Sequence, residues 1–405
     1  MLPHLHFLNL NGMAAEGDEK GRKIMVIGQG DLDVGPARIP PRGLYSKSVA
    51  GPLPDSTPAS SIAMPRSRLS RRRSVQAACG AVAAAVWQPI PARSRAEEPQ
   101  PPRFRFVQIN DTHVQAPLGP DDNPRIKTYP RANDKLRHCV EMLNGDIRPD
   151  FVLAIGDLIH GEALGRLRPD LETFRGLARP LAAPLYPTMG NHEVVQQEGD
   201  PNYERAYREC FGDDRVSYAF ERDGLVFIML NNSGACVVGD DVIRARNAWL
   251  ARTLAKHASQ PKIIGCHIPL VPVRQEPVLA KSFGFSSYQA RDPELLGLID
   301  ANAATIVAVL SGHLHLTGSV VREGVRHVSI CGTASYPSDF AQFDVFADRI
   351  EMTVHQLPAD LASSAPSIHG VPRHAADLTD ADHETAEAYK IGRADERRLT
   401  IPIRA

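Results

Sequence analysis

Two short stretches decide the fold, FRFVQIND at residues 104–111 and DFVLAIGD at residues 150–157. The first alternates apolar and polar residues. The second is a continuous apolar run that ends in Gly-Asp, so both have the length and pattern of β-strands. Between them, ANDKLRHCVEMLN at residues 132–144 repeats its apolar residues at helical spacing. Strand, helix and strand in this order predict a β–α–β unit and hence an α/β fold.

The chain beyond this unit mixes single strands, a helix and hairpins. One amphipathic helix is predicted at residues 241–257. Three more strands and three hairpins are predicted at residues 184–191, 261–269, 304–313, 215–232, 318–330 and 343–354. β–α–β units early and hairpins late predict mixed β-sheets. Polar residues stand at the strand ends, where open α/β sheets bind their ligands.

Composition excludes several classes of protein. The 405 residues include 46 Lys+Arg and 47 Asp+Glu, a formal net charge of −1, which excludes a strongly basic nucleic-acid coat protein. No membrane span is expected, because no apolar run reaches the roughly 18–20 residues that a spanning helix needs. Six cysteines are too few for a disulfide scaffold in a chain of this length, so free thiols are expected.

The first 96 residues differ from the rest in composition and in the pattern of apolar residues. Residues 1–63 are rich in Pro, Gly and Ser and have no sustained apolar period, so they are predicted to be disordered. Residues 64–96 combine an arginine cluster, an apolar run at 77–87 and a small-residue exit, which is the layout of an export signal. Within them, Ser70-Arg71-Arg72-Arg73 resembles the start of a twin-arginine signal, which exports folded proteins.

Two interpretations of this region stay open. As an export signal it would begin at Met64, and residues 1–63 would then be upstream sequence that is not translated. It would direct the protein to the twin-arginine translocation machinery and to the periplasm. As a solvated arginine cluster followed by an Ala-rich linker, it would leave the protein cytoplasmic. The folded domain is predicted at residues 97–357, and residues 358–405 are predicted to be a polar C-terminal tail with one weak helix near residues 380–389.

Five short segments, each after a predicted strand, carry the residues that can do chemistry. They are Asp111-Thr112-His113, Gly156-Asp157, Gly190-Asn191-His192-Glu193, Cys266-His267 and Gly312-His313-Leu314-His315. Carboxylate, amide oxygen and imidazole donors suit divalent Mn, Fe, Zn or Co. D-x-H and H-x-H on an extended backbone would place both side chains on one face. Without His192 the donors number seven, which suits two metal ions that share one carboxylate.

The ordered set D-x-H, GD, GNHE, H and GHxH resembles that of the calcineurin-like metallophosphoesterases and spans residues 104–356. The resemblance implies a four-layer α/β/β/α sandwich of two mixed β-sheets flanked by helices. It also implies hydrolysis of phosphate esters by a hydroxide that bridges two divalent metal ions. Within the family, the motifs are most similar to those of the single-domain phosphodiesterase branch that includes cyclic-nucleotide phosphodiesterases.

The resemblance also implies a role for each donor. One metal ion would be held by Asp111, His113, Asp157 and His315. The second would be held by Asp157, Asn191, His267 and His313, with Asp157 bridging the two ions. His192 would protonate the leaving oxygen or stabilise its charge, and Glu193 would orient His192 from behind.

Further positions are candidates for contacts around the metals. His160 stands where purple acid phosphatases have a metal-ligating tyrosine, so a ferric site of that type is not expected. His160 is a candidate for contact with the metal ligands or the substrate. Two loops, residues 114–133 and 271–292, carry basic and aromatic residues that suit a phosphate ester with a planar leaving group. Four of these are candidate substrate contacts, Arg125, Tyr129, Lys281 and Tyr288.

The sequence leaves the substrate open between phosphodiesters and phosphomonoesters of a small molecule such as a nucleotide. A catalytically inactive scaffold of the same fold is disfavoured because every expected ligand is present. A lipid-head-group phosphodiesterase stays open as an alternative. A nucleic-acid partner is not expected, since the clustered basic charge is confined to the arginines before residue 74.

Overall fold

The computed structural model describes residues 100–120, 129, 131–161, 164–194, 202–233, 239–283, 292–362, 367–368, 371–372 and 379–404. The side chains of residues 164, 280–283, 367–368 and 371–372 are not described. Several predictions lie outside the described residues. These are the disorder of residues 1–63, the export signal at residues 64–96, and the candidate substrate contacts Arg125, Tyr288 and the side chain of Lys281.

The described residues form β-strands and helices at most of the predicted positions. The strands are β1 (Phe104–Ile109), β2 (Phe151–Ile155), β3 (Leu185–Thr188), β4 (Tyr218–Arg222), β5 (Leu225–Leu230), β6 (Lys262–Cys266), β7 (Ile306–Ser311), β8 (Gly318–Arg322), β9 (Val325–Ser329), β10 (Asp339–Val345), β11 (Arg349–Gln356), β12 (Ser367–Ile368), β13 (Val371–Pro372) and β14 (Arg398–Pro402). The helices are α1 (Ala132–Met142), α2 (Leu167–Ala178), α3 (Arg205–Phe211), α4 (Asp240–Lys256), α5 (Glu276–Phe283), α6 (Pro293–Ala301), α7 (Ala386–Ile391) and α8 (Ala394–Arg397).

Two six-stranded sheets carry the architecture, and both are mixed. The first has the order β14-β11-β10-β1-β2-β3, with β1, β2 and β3 parallel and the remaining pairs antiparallel. The second has the order β4-β5-β6-β7-β9-β8, with a parallel centre and antiparallel edge strands β4 and β8. Strands β12 and β13 pair separately. The prediction of two mixed sheets is confirmed.

An aromatic core lies between the two sheets. The ring of Phe106 on β1 is stacked on that of Phe151 on β2, with centroids 5.4 Å apart. It meets Phe227 of the second sheet edge-on at 5.2 Å. The next residue, Val107, belongs to a different cluster on the outer face of the first sheet, as the two-residue period of a strand requires.

Helices cover the outer faces of both sheets. Leu136 of α1 and Phe174 of α2 are fully buried in the cluster on the outer face of the first sheet. Leu250 of α4 and Leu295 of α6 are fully buried in the corresponding cluster on the second sheet. Burying an apolar side chain of this size contributes about 1.5–3 kcal/mol. The order helix, sheet, sheet, helix is therefore the predicted four-layer α/β/β/α sandwich.

The parallel strands deliver the predicted donors to one end of the sandwich. Parallel strands bring their carboxyl ends to the same sheet edge, where α/β proteins place their sites. The donors that follow strand ends are Asp111 after β1, Asp157 after β2, Asn191 after β3, His267 after β6 and His313 after β7. Strand order therefore brings residues from five separate parts of the chain to one end of the sandwich.

The C-terminal segment, residues 379–404, takes part in this fold. Strand β14 pairs with β11 and extends the first sheet by one strand. Its Ile401 is buried in the core between the sheets. The helix predicted near residues 380–389 is present as α7, shifted toward the C-terminus. Residues predicted to form a polar tail with one weak helix thus contribute a strand and two helices to the domain.

Two further predictions concern cysteines and membranes. Cys139, Cys266 and Cys331 are buried free thiols and Cys210 is a half-buried one, which confirms the prediction of free thiols for these four. Cys236 lies outside the described residues. None of the helices in the described part of the chain has both the length and the apolar character that crossing a bilayer requires.

Candidate metal centre

The predicted donors converge into two buried sets. Ligating atoms of the first set lie within 4.8 Å of one another, and so do those of the second. The first set is Asp111, His113, Asp157 and His315, and the second is Asp157, His267 and His313. Asp157 belongs to both sets. The structure therefore brings these sequence-predicted residues together in the arrangement of two adjoining sites that share one carboxylate.

The distances between ligating atoms within each set are similar to those between the ligands of one metal ion. Nε2 of His315 lies 3.1 Å from Oδ1 of Asp111 and 3.1 Å from Nε2 of His113. In the second set, Nε2 of His267 lies 3.1 Å from Oδ2 of Asp157. Donors that share one ion at about 2.0–2.2 Å must lie roughly 3 Å apart. The spacing of the side chains therefore fits a metal ion without rearrangement of the backbone.

Asn191 adds an amide oxygen to the second set. Its Oδ1 atom is buried and accepts no hydrogen bond from any residue that the structure describes. A buried carbonyl oxygen without a partner is costly, and a cation beside it would remove that cost. The next residue, His192, donates its backbone N–H to Oδ1 of Asp157 at 2.9 Å, which places Asn191 close to the shared carboxylate. The donor chemistry thus fits two divalent ions.

The backbone turns at five of the donors. The φ angles are positive at Asp111 (47°), His113 (43°), Asp157 (48°), His313 (67°) and His315 (49°). A non-glycine residue in this region costs of order 1–3 kcal/mol and is found mainly at functional sites. The expectation that D-x-H and H-x-H use an extended backbone is therefore wrong. A left-handed backbone at these five donors thus directs their side chains into the centre.

Close backbone approach explains two of the motif glycines. A Cβ atom on Gly190 would lie 2.1 Å from the backbone nitrogen of Asp157, and one on Gly312 would lie 2.4 Å from Oδ2 of Asp111. Both distances are far below van der Waals contact, so any side chain at these positions would displace a donor. The GN and GH dipeptides are thus packing requirements of the centre.

The buried carboxylate of Glu193 accepts hydrogen bonds from three backbone amides of the centre. Its carboxylate accepts hydrogen bonds from the backbone N–H groups of Asp157 at 3.1 Å, Ile159 at 3.1 Å and Gly190 at 2.5 Å. Burial, and then the charge of Asp157, raise the pKa of Glu193 to about 7. Glu193 therefore ties the loop after β2 to the loop after β3, and its predicted role in orienting the His192 ring stays a prediction.

The ring of His192 is oriented by a backbone carbonyl. Nδ1 of His192 lies 2.5 Å from the carbonyl oxygen of His160, and Nε2 lies 3.9 Å from Oδ2 of Asp157. The His192 side chain is 18% exposed, while Asp157 is buried. Sequence reasoning considered only the imidazole of His160, because a motif carries no signal for a backbone contact.

Tyr129, a candidate substrate contact, packs against the centre. Its ring is stacked on His113 with centroids 4.1 Å apart, and it is only 8% exposed. His160, 4% exposed, lies edge-on to the Tyr129 ring at 5.2 Å. The contacts of both residues with a substrate stay predictions.

The electrostatics of the centre favour added positive charge. Burial lowers the pKa of His267, but the carboxylates of Asp157 and Asp111 outweigh it and raise that pKa to about 9. Burial and the charge of His267 lower the pKa of His313 to about 3. Burial also holds the pKa of His113 well below its ordinary value. Without metal, His267 thus carries a proton where an ion would bind, while His113 and His313 are neutral and can donate lone pairs.

The sequence of this folded part matches a known family. Residues 104–316 match the family described as calcineurin-like phosphoesterase. The chain belongs to this family. As a calcineurin-like phosphoesterase, it is a hydrolase of phosphoric esters, and its buried His and Asp sets are a dinuclear site for divalent metal ions.

Two curated relatives are phosphodiesterases by name. A cAMP/cGMP dual specificity phosphodiesterase of Mycobacterium tuberculosis is 30% identical over 256 residues, which cover 61% of this chain and 72% of the relative. A probable cyclic nucleotide phosphodiesterase of Rhodococcus erythropolis is 27% identical over 253 residues, covering 60% and 75% of the two chains. Among solved structures, a dimetal phosphatase from Danio rerio is similar over 63% of this calcineurin-like phosphoesterase and 96% of its own chain, at 17% identity and a TM-score of 0.48.

Proposed function

We propose that this protein is a phosphodiesterase of small molecules and that cyclic nucleotides are its first candidate substrates. The observation that carries the proposal is the pair of buried donor sets that share Asp157, with the partly exposed His192 beside them. The names of the two curated relatives support the choice of substrate class. Mn, Fe, Zn and Co are the candidate metals, since each accepts imidazole and carboxylate ligands.

Each of the two donor sets would hold one metal ion. Asp111, His113, Asp157 and His315 would hold one ion, and Asp157, Asn191, His267 and His313 would hold the other. When bound, the two ions would lower the pKa of a water molecule and neutralise charge on the phosphate oxygens.

His192 would handle the proton of the leaving group. Its Nδ1–H points at the carbonyl of His160, so the second ring nitrogen, Nε2, is the one that faces the donor sets. A protonated Nε2 donates to the leaving oxygen of the ester as the bond to phosphorus breaks. The backbone N–H of His192 meanwhile holds Oδ1 of Asp157, which fixes the acid and the shared ligand relative to each other.

Turnover by the metal-stripped full chain tests the proposal. Mn, Zn, Fe and Co are added back in turn, with cAMP, cGMP, bis-p-nitrophenyl phosphate and p-nitrophenyl phosphate as substrates. We expect metal-dependent cleavage of the diesters that disappears in Asp157→Asn. Cleavage of p-nitrophenyl phosphate alone would contradict the proposal in favour of a phosphatase. Hydrolysis of sphingomyelin without hydrolysis of cyclic nucleotides would favour the lipid-head-group alternative.

We also propose that the protein is exported by the twin-arginine machinery to the periplasm. The arginines at 71–73 followed by the apolar run at 77–87 support this proposal. Residues 64–96 fused to a folded reporter should carry it out of the cytoplasm of a bacterium that has the machinery. When Arg71 and Arg72 are both replaced by lysine, the reporter should stay in the cytoplasm. Equal export of both fusions would contradict the proposal.

A further inference from the structure

A segment outside the family match packs behind one of the metal ligands. The match ends at residue 316, whereas helix α7 of the C-terminal segment lies against the stretch that follows His315. Lys390 of α7 is fully buried. Its Nζ donates a hydrogen bond to the backbone carbonyl of His315, and its own carbonyl accepts the N–H of Thr317 at 2.9 Å. One residue therefore holds the chain on both sides of Leu316.

Thr317 connects this contact to the surrounding sheet. Its Oγ1 donates to Oδ2 of Asp339 at 3.2 Å and accepts the backbone N–H of Cys331 at 3.2 Å. Asp339 also binds Nη1 of Arg397 at 2.7 Å. Thr317, two residues after the ligand His315, is thus bound by both the C-terminal segment and strand β10.

A buried arginine links the same segment to the loop after β6. Arg274 donates from Nη2 to the carbonyl of Thr317 at 2.5 Å and from Nη1 to Oε1 of Glu396 at 2.7 Å. Oε2 of Glu396 lies 2.9 Å from Nε2 of His383. All of these side chains are buried. The C-terminal segment is therefore joined through the Arg274–Glu396 ion pair to the loop that begins at the ligand His267.

The hydrogen bond from Lys390 stabilises an unfavourable backbone conformation at His315. His315 has a left-handed φ of 49°, a conformation that a non-glycine residue adopts only where its surroundings impose it. A buried ammonium on its carbonyl is a charge-assisted hydrogen bond, the stronger kind. Releasing it would let the residue relax, and the Nε2 atom, 3.1 Å from Oδ1 of Asp111, would move out of the donor set.

We propose that Lys390 is a positioning residue for His315, so that residues 379–404 set the affinity of the centre for the metal ion that His315 holds. The inference rests on the two-metal assignment of the proposed function. It adds a determinant of metal affinity that lies beyond the family motifs and touches no metal itself. Partners behind a metal ligand commonly change metal affinity by about 10–100-fold when they are replaced.

The test compares two buried lysines. Lys390→Met keeps the length of the side chain and removes the donor. Lys262→Met does the same for a lysine that is equally buried at the start of β6, where Nζ donates to the carbonyl of Gln260 and to Oγ1 of Thr305, both at 2.7 Å. Metal-free full-length protein is titrated with Co²⁺, and binding is followed by the visible absorption of the bound ion and by calorimetry. Melting temperatures are measured alongside.

We expect wild type to bind two ions. Lys390→Met should bind one of them about 10–100-fold more weakly, with an altered visible spectrum. Lys262→Met should lose stability but keep both affinities within about threefold. Unchanged affinities in Lys390→Met, or equal losses in both variants, would overturn the inference. If Lys390→Met does not fold, Lys390→Gln, whose neutral and shorter side chain weakens the same contact with the carbonyl of His315, should also weaken the same ion, and unchanged affinity in this variant would equally overturn the inference. Wild type that binds fewer than two ions would instead overturn the two-metal assignment.

Discussion

Metal binding to the metal-free protein should displace a proton from His267. The carboxylates of Asp157 and Asp111 raise the pKa of this buried imidazole to about 9, so at pH 7 nearly every molecule carries the proton on a predicted ligand atom. A metal ion must remove it before the nitrogen can bind. With the pKa two units above pH 7, this competition costs about 2.7 kcal/mol, which is roughly a hundredfold in apparent affinity.

The sign of the pH dependence follows from the direction of the shift. Apparent metal affinity should be weak at acid pH, rise about tenfold per pH unit and level off near the pKa of His267. Glu193, whose pKa is about 7, is already mostly ionised at pH 7.5, so the titration of His267 dominates the change in affinity between pH 7.5 and 8.5. The proton on His267 also stabilises the metal-free fold at low pH, and this contribution is lost as the pH rises through about 9.

Calorimetric titration of the metal-free protein with Mn²⁺ measures both the number of protons released on binding and the apparent affinity for the ion. At pH 7.5, runs in two buffers with different ionisation enthalpies should give about one proton released for the ion that His267 binds. The apparent affinity for that ion should then increase about tenfold between pH 7.5 and 8.5. Release of less than half a proton, or an affinity that stays flat across this window, would refute the reasoning that a protonated His267 occupies the metal-free centre.

Two further predictions separate the roles of neighbouring residues. His192→Ala should keep both metal ions, because its backbone N–H still holds Asp157, and should lower kcat by roughly 10²–10⁴; loss of metal would contradict its assignment as the acid. Gly190→Ala should abolish metal binding, since its Cβ would lie 2.1 Å from Asp157 N. In the matched control, Gly176→Ala in α2, nothing lies within 4 Å of the new Cβ. Metal analysis and thermal unfolding of all three variants, together with the turnover of bis-p-nitrophenyl phosphate by His192→Ala, check these outcomes.

The sequence predicted the layers of the fold because their signals are local. Strands β1, β2, β3, β6 and β7 are short runs of four to six residues, apolar or alternating, and a predicted ligand follows each of them within three residues. Strand β14 had no comparable signal. Its RLTIP has only two apolar positions beside proline, and its place in the sheet depends on β11, which lies 42 or more residues earlier in the chain.

The sequence predicted the metal-binding side chains of the centre but not the hydrogen bonds to backbone atoms that hold them in place. Side-chain chemistry identifies Asp157 and His267 from residue type and order alone. The contacts of Glu193 with three backbone amides, of His160 with His192 and of Lys390 with His315 involve main-chain atoms, which every residue has. No residue pattern marks them, because they depend on how loops from distant positions approach one another.

The pairing of β1 with β10 bears on when the protein acquires its metals during biosynthesis. Arg105 on β1 binds Asp344 on β10 at 2.6 Å, a contact across 239 positions of the chain. Donors also come from both halves of the chain, from Asp111 to His315. A nascent chain that has emerged only as far as β3 would therefore expose half of a chelating site without enclosing it. Metal selection would fall to the compartment in which synthesis and folding are completed. If export acts on the folded protein, as proposed, that compartment is the cytoplasm, and its metal pool would decide which ions the periplasmic enzyme contains.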